Sequence, residues 1–110
     1  MKYLIHYYSD NVKTEIAALP ARLKARYIAL SLRMATHGPN LGEPHTKAIN
    51  QGLYELRLKS AEGIARVFYC AHIGRRIIML HSFIKKTERT PLKERRIAQR
   101  RLKEIKNADT

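Results

Sequence analysis

Hydrophobic and polar positions follow two rhythms along this chain. Lys2 to Tyr8 (KYLIHYY) is aromatic and apolar and predicts a first strand. Ser9, Asp10 and Asn11 follow, side chains that cap a helix N-terminus. Val12, Ile16 and Leu19 then recur at i, i+4 and i+7, one face of a short helix, and Pro20 stands where a second helix begins. Leu23, Tyr27, Leu30 and Met34 mark the inner stripe of that second helix, and Ile28, Leu32 and Ala35 are expected to widen it. A tyrosine-methionine stripe at this spacing reads as core. Gly38-Pro39 closes the helix.

Residues 38–52 (GPNLGEPHTKAINQG) hold three of the five glycines and two of the four prolines, which predicts a loop. Neither flank is long enough to make it a domain boundary. Beyond it the rhythm shortens to two. Leu53–Lys59, Ile64–Ile73 and Arg76–Ile84 read as strands joined by tight turns at Ala61-Glu62-Gly63 and Gly74-Arg75, an antiparallel meander. Thr90 then stands as a cap and Pro91 as the first position of a last helix running to about Lys106, with Ala98, Leu102 and Ile105 inward. No internal repeat or low-complexity segment interrupts this order. The order β-α-α-β-β-β-α predicts one α+β domain over residues 1–110. A helical hairpin and a final helix would pack around a small, mostly antiparallel sheet.

Charge changes the picture more than composition does. Hydrophobic residues make up 45% and charged residues 28% of the 110, which is globular. The net charge is +13, and the second half carries most of it: 15 basic and 5 acidic residues from 57 onward, against 7 and 4 before. Such a field draws in polyanions, so nucleic acid, ribosome, acidic protein and anionic membrane are all candidate partners. No run approaches the roughly 18 apolar residues of a membrane span, and the N-terminus lacks a secretory pattern. The expectation is a soluble cytoplasmic protein with no membrane partner. The lone Cys70, among apolar neighbours, forms no intrachain disulfide and reads as a small buried hydrophobe.

Alternation along Leu53–Lys59 sends Tyr54, Leu56 and Leu58 to one face and Glu55, Arg57 and Lys59 to the other. A one-residue slip would bury the charges, so the register is firmly set. On the next strand Arg66 stands among apolar residues and either pairs with Glu55 across the ladder or faces a polyanion. The third strand delivers Lys85 and Lys86 at its exit. If the three strands are neighbours, Arg57, Arg66 and the lysine pair converge on one sheet face. Fixed cations of this kind stabilise the charge that builds on a phosphodiester in its transition state. The competing reading is a solvated basic face. His81 is either a structural histidine or an acid/base group. His6, His37, His45 and His72 show no metal-ligand spacing, and no Gly-rich phosphate loop or Ser/His/Asp signature is present. No metal or cofactor is expected. The last helix carries seven basic and two acidic residues from Leu92 to Asn107. Arg95, Arg96, Arg100 and Arg101 lie largely off its inner stripe, as a solvated face or as phosphate contacts.

GLYELRLK, ARVFY and HSFIKKTERTP with a helix after it, in that order, resemble the HigB-like, phage-derived branch of the RelE/ParE toxin superfamily. The resemblance covers most of the chain and is most specific over residues 52–91. It implies the toxin of a type II toxin–antitoxin system, a metal-independent endoribonuclease that cleaves mRNA on the ribosome. The RNA's own 2′-hydroxyl would attack the neighbouring phosphate. It assigns catalytic positions to Arg57, Arg66, Lys85 and Lys86; Lys59, Arg89, Arg95, Arg96, Arg100 and Arg101 are the candidate RNA- or ribosome-binding residues. It also implies a cognate antitoxin, expected to be a helix-turn-helix protein. RelE carries a C-terminal tyrosine that assists proton removal, whereas no tyrosine follows Tyr69 here. The base then falls to Glu55 or His81, or cleavage rests on positioning and charge. A gyrase-inhibiting toxin of the ParE kind and a non-catalytic, prophage-encoded nucleic-acid-binding protein are the alternative functions.

Overall fold

In the computed structural model, which describes residues 2–72, 74–86 and 89–108, Ser9 opens the first helix as its side chain suggests. Its Oγ accepts the Val12 N–H at 3.2 Å, and strand β1 (Leu4–Tyr7) gives way to α1 (Asp10–Ala17). After Pro20, α2 (Ala21–His37) forms on the predicted stripe. Leu23, Tyr27, Leu30 and Met34 are buried, and so is Ala35. Ile28 and Leu32 are not: both are about half exposed, so the apolar stripe is narrower than expected.

The sequence-predicted loop contains a strand. β2 (Thr46–Asn50) lies along β3 (Leu53–Ser60), joined by a two-residue turn. Gln51 and Gly52 both take positive φ, 50° and 90°, the backbone a tight hairpin needs. Only Ala48 and Ile49 are apolar in β2, so local propensity is weak and edge pairing to β3 decides it. The rest follows the predicted meander through β4 (Gly63–His72) and β5 (Arg76–Lys85), then α3 (Leu92–Ala108). Ile73, the last residue of one predicted strand, lies outside the described residues, as do Thr87 and Glu88 of the quoted motif. The element order is therefore β-α-α-β-β-β-β-α, one strand more than expected.

The sheet order is β1-β5-β4-β3-β2, antiparallel except where β1 runs parallel to β5. α1 and α2 cover one face, over a core that includes Leu56, Leu58, Ala65, Val67, Tyr69, Ile77 and Met79. α3 covers part of the other, where Ala98 and Leu102 meet Leu53, Phe68, Cys70, Ile78 and Leu80. Burial pushes the Cys70 thiol up to about 11, so it behaves as a hydrophobe.

A β-bulge sets which β5 residues share the face of α3. Phe68 pairs with His81, yet Tyr69 pairs with Met79, so Leu80 is the extra residue. The insertion reverses the alternation. His81, Phe83 and Lys85 thereby stand opposite Phe68, Arg66 and Ile64, on the same face as Arg57.

Leu30 and Leu32 test the narrow stripe, being 1% and 52% exposed on one helix. Leu30→Ala should cost about 2–5 kcal/mol. Leu32→Ala should change stability by no more than about 0.5 kcal/mol. Urea denaturation followed by far-UV circular dichroism reads both; equal losses would mean that α2 presents a wider face to the sheet.

Candidate functional site

β3 builds one side of the site. Leu56 and Leu58 are driven into the core beneath α2, which leaves Glu55, Arg57 and Lys59 on the opposite face. Arg57 lies directly across the ladder from Arg66. Like charges in that position repel. Glu55 lies between them: Oε1 is 3.2 Å from Arg57 Nε and 3.6 Å from Arg66 Nε. Its Oε2 accepts the Thr90 hydroxyl at 3.1 Å. Glu55 is only 4% exposed, an outcome that strand alternation alone does not predict for a glutamate. The sequence alternatives for Arg66 thus resolve toward pairing with Glu55, at a length too great for a hydrogen bond. Arg66 Nε is buried without a hydrogen-bond partner. Burial lowers the Arg66 pKa from the usual arginine value, Glu55 opposing the shift and Arg57 adding to it.

Arg57 has a second carboxylate, Glu43 Oε1 at 3.2 Å from Nη1, and its backbone N–H donates to the His45 carbonyl at 2.8 Å. The segment between α2 and β2 is thereby drawn against the end of β3. There a cleft of about 490 Å³ opens, lined by Arg26, Pro44, His45, Arg57, Lys59, Ile64 and Arg66. Four of the seven lining side chains are arginine or lysine. Arg26, on α2, and Glu43 went unnoticed in the sequence, and His45 was weighed there only as a metal ligand, because nothing local marks an exposed helix arginine or a loop histidine. Only the tertiary fold brings them to β3.

His81 also reaches this face but is closed in. It is 8% exposed, and its Nε2 lies 3.2 Å from Glu94 Oε1, while Nδ1 is buried without a partner. Its ring stacks on Phe83, which stacks on Phe68. Glu94 was missed for the same reason as Glu43. Lys85 ends β5 on the face of Arg66, and the exposed Lys86 follows it. Thr90 donates its hydroxyl to Glu55 across the gap, and α3 begins one residue later than predicted, at Leu92, with the Pro91 carbonyl accepting from Glu94 and Arg95.

The basic residues of α3 divide into two groups. Arg96 and Arg100 are exposed and Arg95 is half-buried. Arg101 turns inward: Nη1 donates to the Leu80 carbonyl at 2.7 Å and the guanidinium lies 4.8 Å over the Tyr8 ring. That corrects its outward placement. Arg89 and Lys59 are exposed. Among the described residues, no three His, Cys, Asp or Glu side chains assemble into a metal-ion site, and no helix is long and apolar enough to cross a membrane.

No curated protein sequence matches this chain. A solved structure similar to it is the E. coli toxin RelE, as a double arginine-to-alanine mutant in the free state. The TM-score is 0.64 over 96% of this chain and 99% of that one, at 11% identity, a likeness of fold. The sequence resemblance to RelE-type toxins and the α+β architecture read from it agree with that fold. The family model described as "Phage derived protein Gp49-like" matches residues 14–103, a span that includes every residue lining the basic cleft. The chain belongs to the phage-derived Gp49-like protein family.

Proposed function

We propose that this protein is the toxin of a type II toxin–antitoxin system, a single-domain, ribosome-dependent endoribonuclease that cleaves mRNA in the cytoplasm. The observation that carries the reading is the Arg57–Arg66 pair, placed face to face and lining a cleft with Arg26 and Lys59. A solvated basic face spreads its charges apart. Here two guanidiniums are held opposite one another by the Glu55 carboxylate, a concentration of positive charge suited to a ligand with concentrated negative charge. Membership of the Gp49-like family and the RelE-like fold support the same reading.

The chemistry needs little beyond position and charge. The 2′-oxygen attacks the adjacent phosphorus, the bond from phosphorus to the 5′-oxygen breaks, and negative charge grows on the non-bridging and leaving oxygens. Arg57 and Arg66 supply donors to the non-bridging oxygens, in the forked geometry that guanidinium offers phosphate. Lys85 and Lys86, at the exit of β5, stand as cations for the leaving oxygen. Glu55 holds the two arginines in place as a counter-ion, since both its oxygens already have partners. Lys59, Arg89, Arg95, Arg96 and Arg100 extend the basic surface toward ribosomal RNA, a contribution that weakens as salt rises. The cognate antitoxin, a helix-turn-helix protein, would neutralise this surface.

Arg57→Ala and Arg66→Ala should each lower mRNA cleavage on programmed ribosomes by about 10²–10³-fold, the cost of one lost transition-state donor. Both should stay folded and lose the power to arrest growth. Full toxicity of both at matched expression would overturn the sheet-face site.

Glu55→Ala should destabilise the fold by about 3–5 kcal/mol, because it leaves two facing guanidiniums without their shared carboxylate. Glu55→Gln, which keeps the hydrogen bond to Thr90 within reach, should cost less. The midpoints of urea unfolding give the comparison, and wild-type stability in Glu55→Ala would show that the arginines do not depend on it.

Lys86→Ala should reduce cleavage strongly and Lys85→Ala less so, while ribosome co-sedimentation stays near wild type in both. Normal cleavage by Lys86→Ala would return that residue to the solvated surface.

A further inference from the structure

Attack by a 2′-hydroxyl requires something to take its proton, and the two groups with that chemistry in the sequence motif are closed to the cleft. Glu55 is 4% exposed and bonded through both oxygens; His81 is 8% exposed, with Nε2 against Glu94. Neither lines the cleft. His45 does, half-buried beside Arg57 and Arg66.

We propose that His45 is the general base of this site, a catalytic role that rests on the ribonuclease reading above. The charged groups facing it from the surrounding elements are Arg26 on α2, Arg57 and Lys59 on β3, Arg66 on β4 and Glu43 two residues before it. The arginines and the lysine are proton-bearing cations and accept nothing. Glu43 is committed to Arg57 at 3.2 Å. A histidine ring is the side chain whose protonation ordinarily changes between about pH 5 and 8, which suits a group that must accept and release a proton.

The backbone that carries the ring is also held in place. The His45 carbonyl accepts the Arg57 N–H at 2.8 Å, and its own N–H donates to the Gly42 carbonyl at 3.1 Å. The next residue, Thr46, is buried; its Oγ1 accepts the Gly42 N–H at 2.9 Å and donates to Asn40 Oδ1 at 3.1 Å. His45 is therefore fixed to the backbone of the strand that carries Arg57, as a positioned base must be. In the step itself an imidazole nitrogen takes the 2′-hydroxyl proton as the 2′-oxygen bonds to phosphorus. The 5′-oxygen leaves with a proton from the Lys86 ammonium, giving a 2′,3′-cyclic phosphate and a 5′-hydroxyl. Exchange with water then restores both side chains.

Single-turnover cleavage on programmed ribosomes, measured across pH for wild type, His45→Ala and His45→Gln, tests this. Both substitutions retain the backbone hydrogen bonds, and ribosome co-sedimentation and far-UV circular dichroism should match wild type. The rate should fall by about 10²–10⁴-fold in both. The acid limb of the wild-type profile should disappear, and added imidazole should restore part of the rate to His45→Ala. A near-wild-type rate, or a lowered rate whose acid limb persists, would overturn the role of His45 while leaving the ribonuclease reading intact. A wild-type chain that leaves ribosome-bound mRNA uncut would overturn both.

Discussion

Arg57 and Arg66 stand opposite one another on adjacent antiparallel strands, and the site depends on how that repulsion is contained. Like charges directly opposite one another on adjacent strands destabilise the pairing. Glu55 answers it from between them, and Glu43 adds a second carboxylate on the Arg57 side. The compensation is incomplete by design of the register. Arg66 Nε remains buried without a hydrogen-bond partner, 3.6 Å from the Glu55 carboxylate, so that one donor of the pair is left unsatisfied.

The same carboxylate ties the arginine face to the rest of the molecule. Thr90 reaches Glu55 from the approach to α3, and Glu94 reaches His81 from its first turn. Further along, Arg101 holds the Leu80 carbonyl, the Tyr8 hydroxyl bonds Glu104, and Lys106 donates to the Gln51 carbonyl at 2.7 Å. Polar contacts thus pin α3 along its length, around a small apolar seam of Ala98, Leu102 and Ile105. The helix covers the apolar half of the sheet face, and beyond it lie the arginines, Arg57 28% and Arg66 11% exposed. Some of the helix's positive charge therefore serves the fold, Arg101 above all, and is not all available to a polyanion.

The family resemblance was carried by residues that keep their neighbours in sequence and in space. The ELR segment on β3, the ARVFY segment on β4 and the FIKK exit of β5 are three adjacent strands, so a motif read along the chain is also a motif across the sheet. Residues outside those strands carried no signal of the site for the converse reason. Arg26 and His45 reach the cleft, and Glu43 reaches Arg57, from a helix face and a loop rich in glycine and proline, places where polar residues ordinarily signify solvent. β2 was hidden by the same composition.

By itself the sequence determined the helices, the three central strands and the faces of β3, because burial of Leu23, Leu30, Leu56 and Leu58 leaves each element only one favourable orientation. It also determined that Arg57 and Arg66 can meet, since short turns force those strands to be neighbours. Tertiary structure alone decided the rest. The bulge at Leu80 rotates His81, Phe83 and Lys85 onto the arginine face, against the alternation that the chain shows before it. Pairing to β3 makes a strand of Thr46–Asn50 and sets His45 beside Arg57. A bulge and an edge pairing gain their free energy from contacts far apart in the chain, and so they leave no local pattern to read.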